Sequence, residues 1–314
     1  MNWRERITDA AERIRPLVRE TPVDLSVLTI GTSTQLFLKL ENVQYTGSFK
    51  FRGASNKISL LTPSQAAAGV VTASNGNHGL AVAAAAAAKG IDAEVFVSSA
   101  VSHSKLARIE RYGASIHLHG DNPLDAELAA RQEAERLDKV FISPYNDADV
   151  IAGQGTIGLE IHQELRQIDA VFVAVGGGGL IGGIGAYLKA VLPATEIIGC
   201  WPENSPVLWR CMEAGGVMYV PEQPTLSEST AGGLEPGSIT LELCKSVVDR
   251  AVLVSESEIM AAMRRSLMED HWVIEGAAGV ALAAYLQEAD RYRGRTVVVI
   301  LCGRNVSSKV LNKL

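Results

Sequence analysis

The chain reads as an α/β protein built from two doubly wound open sheets, and three observations predict it. Short β-branched runs alternate with helical patterns along nearly all of its 314 residues, as expected of parallel strands joined by crossover helices. Two of the runs, VFVAV at 171–175 and TVVVILC at 296–302, are apolar without interruption, which suits strands covered by helices on both faces. The strands also fall into two groups, one of four evenly spaced β–α units and one running from about residue 170 to the end.

Taken in order, the first twenty residues are charged and amphipathic and lack the apolar core of a secretory signal. Strands are expected at 36–41, 70–73, 93–97, 115–118, 140–142, 170–175, 197–200, 251–254 and 296–302. Helical patterns lie between them at 78–89, 104–112, 125–137, 155–165, 180–191 and 256–269, with Met260, Met263 and Met268 on the core side of the last. Residues 51–148 contain a self-sufficient sheet and are expected to form a small domain inserted into a larger one made of 1–50 and 149–314.

Composition narrows the function classes. With 47% hydrophobic and 20% charged residues the chain can bury a large core. A net charge of −6 with no basic block argues against nucleic acid or an anionic membrane as partner. The least polar run, 80–88, is too short to span a bilayer. Cys200, Cys211, Cys244 and Cys302 show no C-x-x-C spacing, so a reducing cytoplasm is the expected compartment. His103, His117, His119, His162 and His271 show no ligand spacing, and no metal site is expected.

Three loops carry chemistry. Gly176-Gly177-Gly178-Gly179 follows a strand and opens a helix. Four glycines cost backbone entropy unless something needs their freedom, and amides converging at a helix N-terminus suit a phosphate. A tight turn with close packing is the plainer alternative. Gly177-x-Gly179-x-x-Gly182 also fits a dinucleotide fingerprint, with Glu196 as ribose acceptor, and so keeps a nicotinamide-linked oxidoreductase open as a rival. Ser74-Asn75-Gly76-Asn77-His78, again between strand and helix, suits either carboxylate binding or simple capping. In Thr46-Gly47-Ser48-Phe49-Lys50-Phe51-Arg52-Gly53, a lysine stands between two phenylalanines. Desolvation there lowers its pKa, as a Schiff-base amine requires; alone, it would read as a snorkelling surface lysine.

Together these motifs, with Lys39-Leu40-Glu41-Asn42 before them and Cys302-Gly303-Arg304-Asn305 at the end, resemble the fold-type II pyridoxal-phosphate enzymes. The threonine/serine dehydratase and serine racemase branch is the most similar. The resemblance implies two open-sheet domains with pyridoxal 5′-phosphate in the cleft between them. It implies that Lys50 holds the cofactor as a Schiff base and that Phe49 lies against the pyridine ring. Gly176, Gly177, Gly178 and Gly179, with the Leu180 amide, would hold the cofactor phosphate, and Asn77 the ring 3′-oxygen. Ser74, Asn75, Gly76, Asn77 and His78 would bind the substrate carboxylate. Cys302 falls where the family has Ser or Thr beside the ring nitrogen, and a neutral partner there suits β-elimination. The implied reaction is dehydration and deamination of a β-hydroxy amino acid such as L-threonine or L-serine to a 2-oxo acid and ammonia, in a homodimer. Freed from the cofactor, Lys50 would act as base, with the cofactor phosphate protonating the departing hydroxyl.

Departures from the family pattern qualify this. Racemases of the branch carry a catalytic serine where this chain has Asn75, which cannot shuttle a proton, so dehydration is expected over racemisation. Trp201-Pro202-Glu203 replaces the stretch that supplies a glutamate ligand in metal-dependent members, although Glu203 can substitute. Segment 229–238 and Arg304 also differ and suggest a specialised substrate: Arg304 can serve a second carboxylate, as in a 3-hydroxyaspartate, or pair with a surface acid. The pattern is also similar to dehydratase-like enzymes of hydroxyectoine utilisation. Glu275, opening a helix beside the site, is expected to orient structure, not to act in chemistry. The chain ends soon after the fold closes, so a C-terminal regulatory domain is not expected.

Overall fold

The structure, a computed structural model, describes residues 1–99, 101–121 and 123–314. In chain order the helices are α1 (Trp3–Ile14), α2 (Lys50–Ser59), α3 (Pro63–Ala68), α4 (Asn77–Lys89), α5 (His103–Glu110), α6 (Pro123–Arg136), α7 (Ala148–Glu164), α8 (Gly179–Val191), α9 (Val207–Ala214), α10 (Ile239–Val247), α11 (Glu256–Met268), α12 (Gly276–Glu288) and α13 (Ser308–Leu311). The strands are β1 (Val23–Leu25), β2 (Gln35–Lys39), β3 (Val70–Ala73), β4 (Ala93–Val97), β5 (Ser115–Leu118), β6 (Val140–Phe141), β7 (Ala170–Ala174), β8 (Glu196–Pro202), β9 (Arg250–Val254) and β10 (Thr296–Ile300).

Two sheets result. The larger has the order β1-β2-β10-β7-β8-β9 and is parallel apart from β1, which pairs antiparallel with β2. The smaller, β5-β4-β3-β6, is wholly parallel. Every residue of β7 is buried, as an unbroken apolar strand covered on both faces should be. Separate apolar clusters serve the two sheets. One gathers β7, β10, α8 and α12; the others gather α4 with β3 and β4.

Several boundaries differ from the sequence expectation, each for a physical reason. Helix α7 begins at Ala148, not at 155, because the Asp147 side chain caps the amides of Asp149 and Val150. Gly153 in its first turns serves close packing: a Cβ there would lie 2.7 Å from the Arg52 carbonyl oxygen in α2. The strand expected to reach Glu41 stops at Lys39, and Glu41 enters a 3₁₀ turn. The strand expected to reach Cys302 stops at Ile300. Met268 is 72% exposed, so it faces solvent and does not join the core side of α11. No helix of the described residues is long and apolar enough to cross a membrane.

Candidate active site

The carboxyl ends of β2, β10, β7 and β3 open toward one cleft, where ligands bind in open α/β sheets. Beyond β2 and β10 the two chains stay side by side. The Asn42 amide donates to the Leu301 carbonyl at 2.8 Å, the Phe49 amide to Cys302 at 3.0 Å, and the Arg304 amide to Gly47 at 2.9 Å. This loose continuation of the ladder carries Lys50 to Cys302, although 252 positions separate them in the sequence.

Lys50 is the first residue of α2 and its Nζ donates to the Pro144 carbonyl at 2.7 Å. Burial pulls its amine down from 10.5 to about 8. The Glu275 carboxylate offsets part of that pull, and Cys302 would do so only as a thiolate. Burial holds the Cys302 thiol well above its usual range, so it stays neutral beside Lys50. The helix dipole of α2 also disfavours a cation at this end. Of the two flanking phenylalanines only Phe49 shares the space of Lys50, with Nζ 5.1 Å from its ring centre. Phe51 turns away into the apolar cluster around α4 and meets Tyr45 edge-on, so it does not sandwich the lysine.

Lys50, Phe49, Asn77, Gly176 to Gly179, Leu180 and Cys302 all line one cavity, together with Tyr145, Ser229 and Thr230. Among the described residues no protein acceptor meets the amides of Gly177, Gly178, Gly179 or Leu180. Gly178 takes φ +88° and caps α8 without a side-chain hydrogen bond. Free amides at a helix N-terminus fit a phosphate. The glycines have a second reason as well: a Cβ on Gly177 would stand 2.4 Å from the Tyr145 ring, and one on Gly176 2.9 Å from the Thr230 backbone. Close packing and anion binding therefore both apply. The dinucleotide alternative loses its acid. Glu196 pairs across to Ala170 at the far end of β7 and hydrogen-bonds the Tyr292 hydroxyl, roughly 13 Å of strand from the loop.

The 74–78 loop is only partly free. The Ser74 hydroxyl accepts from the Gly76 amide at 3.1 Å, a local turn bond. Asn75 is engaged at both ends of its amide by Ser98, donating to Oγ at 2.6 Å and accepting from the backbone at 2.9 Å. Asn77 donates to Glu275 at 2.8 Å and accepts from Asn305 at 2.6 Å, which leaves one amide proton to point into the cavity. His78 is buried with Nε2 on the Ile142 carbonyl; burial and then Lys50 lower it to about 3, so it is neutral. Glu275 joins Asn77, Ser229 and the Asn305 amide, an orienting hub. Arg304 is exposed, and among the described residues no acid pairs with it. The described residues hold no cluster of His, Cys, Asp or Glu suited to a metal.

Beneath the site lies a buried charge cluster. Arg52, fully buried, donates to both oxygens of Glu41 at 2.8 Å and to Glu160 at 2.5 and 2.8 Å. Lys39 completes it on Glu160 at 2.5 Å.

Lys50, Phe49, Asn77, the glycine loop with Leu180, and Cys302 thus share one cavity, which Ser74, Asn75, Gly76 and His78 do not line, and the pyridoxal-phosphate dependent enzyme model matches residues 14–303. The chain belongs to that family. Its members depend on pyridoxal phosphate, and this cavity fits the group, with open amides for a phosphate, a depressed lysine for the aldehyde and a neutral thiol for the ring end. The chain is 39% identical to the L-threonine ammonia-lyase of Thermotoga maritima over 311 residues, 99% of this chain and 77% of that protein. Among solved structures it is similar to threonine deaminase isoform 2 from Solanum lycopersicum, with TM-score 0.93 and 30% identity over 99% of this chain and 92% of the other. It is also similar to maize serine racemase, with TM-score 0.92 and 31% identity over 99% and 95%.

Segment 229–238, singled out by its departure from the family pattern, brings Ser229 and Thr230 to the cavity wall, whereas Tyr145 in the wall and the Pro144 carbonyl on Lys50 carried no sequence signal. Tertiary packing alone brings 144–145 to the glycine loop.

Proposed function

We propose that this enzyme removes water from a small β-hydroxy amino acid such as L-threonine or L-serine and releases a 2-oxo acid and ammonia. The observation that carries the proposal is the Lys50 amine, lowered to about 8, in one cavity with the tetraglycine loop and a neutral Cys302. When bound there, pyridoxal phosphate supplies the electron sink that makes the Cα proton removable. The protein does the rest. The amides of Gly176 to Gly179 and Leu180 would hold the phosphate, Asn77 the ring oxygen, and Phe49 would wall the ring. The 74–78 loop, with its amides at the start of α4, orients the substrate carboxylate. Lys50, as the free amine, takes the Cα proton at Nζ, the Cβ–O bond breaks with the hydroxyl taking up a proton and leaving as water, and the enamine product is hydrolysed by water to oxo acid and ammonia. Uncharged Cys302 would offer the ring end a neutral thiol and no carboxylate, a setting that suits elimination.

A racemase reading is the weaker one. Two-sided proton transfer needs an acidic group opposite Lys50, and the candidate position, Asn75, is tied to Ser98. Purified holoenzyme assayed with L-threonine, L-serine and both 3-hydroxyaspartate diastereomers, reading oxo acid, ammonia and D-amino acid together, tests both readings. Oxo acid with stoichiometric ammonia supports elimination; D-amino acid without ammonia would overturn it.

Residues 51–148 make the smaller domain in this reading, and 1–50 with 149–314 the larger, in keeping with the two separate sheets. A homodimer is supported by exposed Leu25, Val27, Ile30 and Met268, whose segments are joined where the Val27 amide donates to Asp270. Four free cysteines support a reducing, cytoplasmic setting.

A further inference from the structure

The loop between β6 and α7 touches three parts of the site at once. The Pro144 carbonyl receives Lys50 Nζ. The Tyr145 ring covers the tetraglycine loop so closely that a Cβ on Gly177 would meet it at 2.4 Å, and one on Gly179 would meet its Cα and Cβ at 3.2 Å. The Tyr145 hydroxyl accepts the Glu235 amide at 3.0 Å, and Asn146 accepts the Ile239 amide at 2.9 Å. Burial holds the phenol above its ordinary range, so it stays a neutral acceptor.

Glu235 belongs to a strap without regular structure, 225–238, whose Ser229 and Thr230 line the cavity. The strap is rich in glycine, and a Cβ on Gly232, Gly233 or Gly237 would meet nothing within 4 Å. On the side of the larger sheet Leu234 packs into the core, the Gly232 amide donates to Glu222 at 2.9 Å and Ser229 to Glu275 at 2.8 Å. From the other side of the cleft the strap is held at Glu235, by the Tyr145 hydroxyl and by the ion pair with Arg131 at 2.6 Å, with Arg131 itself stacked over Phe141, while Asn146 holds the Ile239 amide just beyond it.

We propose that Tyr145 is a positioning residue with two separable parts: its ring sets the phosphate-holding glycine loop, and its hydroxyl anchors the strap that closes over the amino-acid substrate. The inference rests on the assignment of this cavity to the cofactor and its substrate. The two parts predict two different failures.

Tyr145→Phe keeps the ring and removes the anchor. Cofactor affinity, read by absorbance titration of the cofactor-free protein, stays within about twofold, while KM for the β-hydroxy amino acid rises about 5- to 10-fold with kcat little changed, the worth of one neutral hydrogen bond. Limited proteolysis within 225–238 accelerates. Tyr145→Ala removes the ring and weakens binding of pyridoxal phosphate more than about tenfold, because a loop displaced by even an ångström loses its aim. Binding of pyridoxal, which lacks the phosphate, changes little. Tyr145→Leu, which restores bulk, guards against a folding defect in the alanine variant and is expected to fall between the two.

An unchanged KM and unchanged proteolysis in Tyr145→Phe would overturn the anchor. An equal loss of affinity for pyridoxal and pyridoxal phosphate in Tyr145→Ala would overturn the ring's role. The titration and proteolysis arms need no turnover, so they decide this point even if the proposed reaction failed.

Discussion

Arg52 stands two residues beyond Lys50 and is the centre of a buried set of two cations and two anions: Lys39, Arg52, Glu41 and Glu160. Burial alone would raise the Glu41 carboxyl, but Arg52 outweighs it and holds it below the usual range. Replacing Arg52 with Met keeps much of the volume and deletes one positive charge, leaving two carboxylates to one ammonium without water. Removing one partner of a buried pair costs about 3–5 kcal/mol, and the guanidinium here also bonds Thr21, Thr156 and the Arg19 carbonyl. Equilibrium urea unfolding followed by tryptophan fluorescence should therefore show a loss of that size. Adding Glu41→Gln restores charge balance, with Lys39 left to Glu160. The double variant should be more stable than the summed single losses by about 1–3 kcal/mol. A single-variant loss below about 1 kcal/mol, or strict additivity in the double, would refute the claim that these charges depend on one another. The same cluster gives acid sensitivity. Stability from Glu41 is in place above the ordinary carboxylate range and is lost as pH falls through its depressed folded value.

Three other outcomes follow from the site. In cofactor-free protein the Lys50 amine sits near 8 against 10.5 in the unfolded chain, so burying it costs stability below pH 8, and the cost fades as pH rises toward 10.5. Lys50→Met should then stabilise the cofactor-free protein at pH 7 by roughly 1–3 kcal/mol, with the gap narrowing at pH 10; a destabilised variant would contradict the depressed amine. Gly177→Ala places a methyl 2.4 Å from the Tyr145 ring, and absorbance titration should show cofactor affinity falling by more than about tenfold. The wild-type enzyme given L-serine should release ammonia with little D-serine, whereas Asn75→Ser, which frees the Ser98 contacts and supplies a hydroxyl, should raise the D-serine fraction in chiral chromatography.

The strands of the smaller sheet were legible because their β-branched runs are bounded by glycine and polar residues, and three of them match residue for residue: β3, β4 and β5. β1 was not legible: it is three residues long and forms only by pairing with β2. Helices α9 and α10 are short, and loop-like sequence surrounds them, so their apolar faces gain meaning only against the core. α2 was hidden for another reason. Its Arg52 and Gly53 look like loop residues until the buried ion cluster and the close approach of α7 explain them. Within the site, the glycine loop, Lys50 and the 74–78 loop announce themselves through local chemistry. Tyr145 does not, because its role exists only where three distant segments meet, and the strap is marked only by the departure of 229–238 from the family pattern. The engagement of Asn75 by Ser98, likewise, joins the carboxyl ends of the paired strands β3 and β4, which no local pattern encodes.

The account turns on which nitrogen holds the cofactor. Borohydride reduction of the holoenzyme followed by peptide mass mapping measures this directly. The prediction is a single pyridoxyl-phosphate increment on the peptide containing Lys50, none on peptides carrying Lys39, Lys57 or Lys105, and no increment at all in Lys50→Met. An increment on another lysine, or one that survives the Lys50 substitution, would contradict it.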